Sequence, residues 1–327
     1  MRTRLTLVGL LCLMPGLALA APATTGAGEA VTLSLRSTAG TVLTYNYQGQ
    51  FHGEFDLNIP DRPPIVIKPK FDMTAAVQQR TVSVGSDGLM EVAYQVKGFQ
   101  FGAEVSNVHF GFAITPEESG LVKLPELPVH ATINRQGKLT GLVGLDELLS
   151  ALPLPPMVKG QLPSGEALQK MLDTFYQPMF PEKAIKVGDS WGWERTLSMA
   201  DFMPKGEGGG MAPAMPPGMP DLKIPMKEKS TFTGWEQFNN VRCARVDSVT
   251  DWSWAMAMPA EQGGGLSMAQ KGTVTVTRYL DTATGRLAGL KQEVHFTQDM
   301  TMQGKPMGKL DFTATSSSTL AGVSAGG

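Results

Sequence analysis

Two cysteines in 327 residues, few charges, few aromatics and no long apolar run beyond the first twenty residues restrict what this chain can be. Cys12 lies inside an apparent leader, so Cys243 stands alone and no internal disulfide is available; the fold must rest on packing. In "VRCARV" Cys243 sits among valines in an alternating segment and reads as a buried strand thiol rather than a reactive one. Lys and Arg total 28 against 30 Asp and Glu, with no basic cluster, which argues against nucleic acid as a partner. His52, His109, His130 and His295 occur singly, none at metal-ligand spacing, and the carboxylates are dispersed. Neither a metal, a cofactor nor a catalytic acid–base pair is expected.

Residues 1–20, "MRTRLTLVGLLCLMPGLALA", combine Arg2 and Arg4, an apolar run from Leu5 to Leu13, a Pro15-Gly16 break and Ala18-x-Ala20. This is the pattern of a secretory signal peptide, so the chain is expected to be exported, periplasmic or secreted. No later stretch reaches the roughly 18 apolar residues of a membrane span, so none is expected.

The remainder alternates with period two. "GTVLTYNYQGQF" puts Leu43, Tyr45 and Tyr47 on one face, and "DWSWAMAM" does the same with Trp252, Trp254, Met256 and Met258. Asp87-Gly88, Asn239-Asn240, Gly137 and Gly285 supply turns between such segments. Gly40 and Gly188 each open an alternating aromatic segment, and the intervals from Gly40 to Gly137 and from Gly188 to Gly285 are both 97 residues. The equality predicts a duplicated unit. The expected fold is mainly β: a curved, half-barrel-like antiparallel sheet of two related halves, 21–142 and 183–327, joined by a short helical segment at 143–182. Within that segment Leu168, Met171, Leu172 and Phe175 recur at helical spacing behind Ser164 and before Pro178. Residues 203–226, rich in Gly, Pro and Met without periodicity, read as a loop inserted in the second half.

"FPEKAIKVGDSWGWE", Phe180 to Glu194, followed by "GWEQFNNVRCARV" and "YLDTATGRL", resembles uncharacterised exported bacterial β-proteins in which a Val-Gly-Asp-x-Trp element opens the second half. The similarity spans roughly residues 31–320 and rests on short, turn-like motifs. It implies a curved antiparallel sheet, more distantly similar to the half-barrel of lipoprotein carriers of the LolA/LolB type, and it implies no catalytic residues.

Two segments offer chemistry. "GDSWG", Gly188 to Gly192, is a literal Gly-x-Ser-x-Gly, and Ser190, Asp251 or Asp281, and His295 follow in the order of a hydrolase triad. The element lacks its strand-turn-helix context, and a strand opening explains it. Met211, Met215 and Met219, with Met226 beyond, are soft thioethers suited to Cu(I), against which stands a low-complexity loop. The leading reading is a non-enzymatic binding module for an apolar or lipid-like small molecule or an exported protein partner, with Trp252 and Trp254 as ligand-facing residues. The alternative is a scaffold without a small ligand.

Overall fold

The computed structural model describes residues 30–58, 63–105, 108–114, 129–144, 147, 177–198, 222–257 and 265–325. They form β1 (Thr41–Leu57), β2 (Ile65–Ile67), β3 (Pro69–Val84), β4 (Met90–Val105), β5 (Val108–Ile114), β6 (Val129–Ile133), β7 (Leu139–Val143), β8 (Ser190–Ser198), β9 (Lys223–Phe238), β10 (Val241–Ala257), β11 (Leu266–Asp281), β12 (Arg286–Met302) and β13 (Lys305–Ala325). All thirteen belong to one sheet in the order β7-β6-β4-β3-β1-β13-β12-β11-β10-β9-β8, with β2 beside β1 and β5 beside β4. Every pairing is antiparallel. The sheet is open and curved, and no helix among the described residues is long and apolar enough to cross a membrane.

Alternation makes the strands. In β1, Leu43, Tyr45, Tyr47 and Phe51 are buried while Asn46, Gln48, Gln50 and His52 are exposed, so one face is apolar and the other polar along about 55 Å of strand. Local turn chemistry then joins neighbours. Asn239 and Asn240 take positive φ values of 49° and 63°, the backbone of a tight hairpin whose twist matches the β9 and β10 strands it connects.

The expectation of two halves joined by a helical segment finds no support among the described residues. Every residue of β1 pairs with β13, from Thr41 opposite Ala325 to Leu57 opposite Gly308, so the described strands form one sheet with no boundary inside it. Most of 143–182 lies outside the described residues; Val143 ends a strand, and Gln177–Glu182 is not helical. Pro178 and Pro181 bracket Met179 and Phe180 and deny that stretch the donors a helix needs. The insert is also shorter than expected. Lys223–Met226 already belong to β9, because Ile224 and Met226 alternate onto the apolar face. Residues 203–221 lie outside the described residues.

At one end of the strands the apolar face is covered by two irregular segments. Val31, Leu33 and Leu35 lie beside Met179, Phe180 and Ile185 in a single core that also takes side chains from β1, β3, β4, β6, β7 and β9 to β12, with Trp191 of β8 packed against it. Backbone hydrogen bonds fix this plug. Val31 and Ile185 exchange bonds of 2.8 and 2.9 Å, and Leu35 N donates to Arg135 O at 2.7 Å. Gly137, in the β6–β7 turn, has φ of 79°, and a Cβ there would lie 2.2 Å from Met179 Cε; a glycine therefore serves both the turn and the close approach of the plug.

Phe180 is 1% exposed at the centre of this plug. Phe180→Ala should cost about 3–5 kcal/mol, read as a lower midpoint in urea unfolding. A midpoint equal to that of Val249→Ala, an exposed strand control, would show that the plug is not structural.

Candidate functional site

Beyond the plug the same apolar face continues. Phe51, Met73, Val294, Phe312 and Ala314 form a second core, with Phe71, Trp252, Val274 and Phe296 packed against it. Cross-strand register places these together: Phe51 is opposite Phe71 and Ala314, Ala314 opposite Val294, and Val294 opposite Val274. The expected ligand residues fall at this end. Trp252 is opposite Met226 on β9 and Gly272 on β11. A Cβ on Gly272 would lie 2.1 Å from Trp252 Cζ2, so the indole lies across β11 only because residue 272 is glycine. On the far side of Gly272 stand Phe296 and then Phe312, their ring centroids 4.8 Å apart.

Trp254 is opposite Gln270, one row farther from the plug. In the next row Met256, Met268 and Met300 are directly opposite one another on β10, β11 and β12. Trp252 and Trp254 therefore share a face with an aromatic row and a methionine row that sequence reasoning did not assemble. The alternation of "QEVHFTQDM" was the available signal for Phe296, whereas nothing local announced Gly272 as a seat for a ring from the neighbouring strand.

The polar face carries two hollows. One of about 870 Å³ spans β8 to β12 and is lined by Glu194, Lys227, Asp251, Lys271, Thr273 and His295 among others. The other, about 590 Å³, crosses β3, β1, β13, β12 and β11 over Gln48, Asp72, Thr275, Lys291, Glu293 and Thr315. At the first hollow Lys227 Nζ meets Glu194 Oε1 at 2.5 Å, and His295 Nε2 lies 3.1 Å from Asp311 Oδ1.

The hydrolase constellation is not brought together. Ser190 is exposed on β8 with its Oγ 2.9 Å from Thr231 Oγ1, and His295 on β12 is four strands away, about 19 Å by strand spacing alone. Among the described residues no three His, Cys, Asp or Glu side chains gather into a possible metal site. Met211, Met215 and Met219 lie outside the described residues. Cys243 is fully buried in a small core with Tyr279 and Ala288, where Phe238 stacks on Tyr279 at 4.2 Å. Burial, and then the nearby Asp281 and Glu236 carboxylates, push its thiol up to about 12.

No family model matches the chain, and no curated protein matches it. Among solved structures, one of lipovitellin, concerned with its lipid–protein interactions, is similar over 89% of this chain at 9% identity and a TM-score of 0.43. This chain spans 26% of that one. OccK5 (OpdH) of Pseudomonas aeruginosa is similar over 85% of this chain and 98% of its own, at 7% identity and a TM-score of 0.26. Similarity at this level carries no conclusion about function.

Two outcomes are expected from this geometry. A serine-reactive phosphonate should leave the folded protein unlabelled; stoichiometric labelling lost in Ser190→Ala would restore the hydrolase reading. Cys243 should react with a disulfide-exchange reagent at pH 8 only after unfolding. Because the folded thiol keeps its proton to higher pH than the ordinary value of 9.0, its contribution to stability is intact below pH 9 and is lost as pH rises toward 12. Stoichiometric modification of the native protein at pH 8 would contradict this burial.

Proposed function

We propose that the protein is an exported, non-enzymatic binding module that holds an apolar, lipid-like molecule on the unplugged part of its apolar face. The observation that carries this reading is the cluster of half-buried large apolar side chains beside the second core, beyond the plug. Leu33, Leu35, Phe180 and Leu287 at the plugged end are no more than 1% exposed. At the other end Phe71, Trp252, Trp254, Met268, Phe296 and Leu310 are only half-buried, in adjoining rows. A contiguous, partly uncovered apolar surface of this kind is a site for association, and unbranched methionines let it adapt to a ligand.

The leader-like pattern of residues 1–20 supports export, and the dispersal of Ser190 and His295 supports a role without catalysis. The finer reading of two related halves rests on Gly40 and Gly188, which precede β1 and β8 with φ of 83° and 96°, and on Gly137 and Gly285, which both lie in hairpin turns. In this proposal the halves are meanders fused along β1 and β13, and the likeness to half-barrel carriers of the LolA/LolB type is one of working principle.

The test is extraction of gently purified protein with organic solvent, followed by mass spectrometry, together with titration of a fluorescent apolar probe. Co-purified lipid-like material and saturable probe uptake are expected. Trp254, outside both cores, is the discriminating position. Trp254→Ala should weaken probe binding about tenfold, the effect of roughly 1.4 kcal/mol of lost contact, while the melting temperature stays within a few degrees of wild type. A folded protein that is empty and takes up no probe would favour the scaffold reading instead.

A further inference from the structure

Between the plug and the aromatic row, the apolar face is interrupted by polar side chains. Arg278 Nη1 donates to Ser248 Oγ at 2.6 Å, Ser248 and Ser230 are joined at 2.7 Å, and Ser230 Oγ donates to Glu228 Oε1 at 2.9 Å. Thr250 Oγ1 donates to the other carboxylate oxygen at 3.3 Å. The donor order is forced. Arg278 can only donate and ionised Glu228 can only accept, so the hydrogen of Ser248 must point to Ser230 and that of Ser230 to Glu228. The chain links a cation to an anion and uses each serine hydrogen.

Two further donors stand at its β8 side. Trp191 is opposite Ser230 and Trp193 opposite Glu228, which puts both indoles on the apolar face. Their Nε1 atoms are buried and find no acceptor among the described residues. A phenylalanine or leucine would pack here without leaving a donor unmatched, whereas a buried indole ordinarily finds a partner for its N–H. The row holding Trp193, Glu228 and Thr250 is two residues along the strands from the row holding Arg195, Met226 and Trp252. That step is about 7 Å, so the Trp193 donor adjoins the apolar site directly and the Trp191 donor lies one further step away, about 14 Å along the strands.

We propose that Trp191 and Trp193 form the polar end of the binding site, donating their indole N–H groups to the acyl oxygens of a ligand whose hydrocarbon chain lies toward Trp252 and Trp254. The inference rests on the proposed binding function and adds the ligand's chemistry: a long acyl chain ending in oxygens that accept hydrogen bonds. Esters and free acids share those oxygens. The neutral chain from Arg278 to Glu228 suits an ester. The Arg195 guanidinium, whose carbon is 5.9 Å from the Trp193 ring centre and which donates to Gln177, offers a free carboxylate a cation.

The experiment uses the mature chain and displacement of a fluorescent apolar probe by hexadecane, methyl palmitate and palmitate. Trp191→Phe and Trp193→Phe keep a ring and remove the N–H. Each is expected to weaken methyl palmitate or palmitate about tenfold and to leave hexadecane unchanged. The better of the two oxygenated ligands in the wild type identifies the source of the acyl oxygens. If the variants weaken all three ligands equally, the indoles only pack; if they weaken none, a buried water satisfies them; either result overturns the inference and leaves the binding function standing. A wild-type protein that binds none of the three removes both. Should the variants fail to fold, the wild type alone decides: a tenfold preference for an oxygenated ligand over hexadecane supports the inference, and no preference overturns it.

Discussion

The ladder between β1 and β13 is the constraint on which the rest of the molecule depends. It joins residues as far apart in sequence as Thr41 and Ala325, and it runs the full length of β1. Among the described strands, β3, β4, β6 and β7 on one side join the sheet through β1, while β8 to β12 join it through β13. Nearly all other long pairings are between neighbours in sequence and form locally. This one must close almost the whole chain into a loop, an entropic cost that grows slowly with length and that the many hydrogen bonds and matched faces of the ladder offset. It also makes the fold slow to assemble, since the contact that unites the two meanders is the least local of all.

The plug is a second tie and gives the sheet its asymmetry. Val31 to Leu35 and Met179 to Ile185 run across one end of the apolar face and hydrogen-bond to each other and to the β6–β7 turn. Because the same strands extend well beyond that cover, their apolar residues continue past it, and the alternation that makes a dry core at one end leaves partly covered Trp254 and Met268 at the other. The partly buried polar chain from Arg278 to Glu228 lies between the plugged rows and the row of Trp252.

Much of the local structure was legible in the residues. Strict alternation marked β1 and β10, and Asn239-Asn240 and Gly137 marked turns because positive φ demands such residues. Cys243 among valines was readable as a buried thiol for the same reason of periodicity. What was not legible depends on long-range partners. No pattern within "GTVLTYNYQGQF" names Ala325 as the neighbour of Thr41. Gly272 looks like any strand glycine until the Trp252 ring is seen lying on it. Val31, Leu33 and Leu35 alternate with period two, but nothing local names what they cover, and the role of the plug follows from hydrogen bonds to Arg135 and Gln136 in a turn far from both segments. Of the candidate site, Trp252 and Trp254 could be placed on one face, but their setting among Phe296, Met268 and Met300 is a product of register, which a single strand does not encode.

The position of β13 has a consequence for the way the chain comes into being. During synthesis β1 is among the first strands to emerge and β13 is made after all the others, so one long side of β1 stays bare until then. A nascent chain in this condition has an unsatisfied backbone edge and an apolar face, and both favour pairing with its copies. On the proposed reading of residues 1–20 as an export leader, the delay is useful. A chain whose central seam cannot form early remains threadable, and it can pass through a narrow translocation channel before the last strand locks it shut.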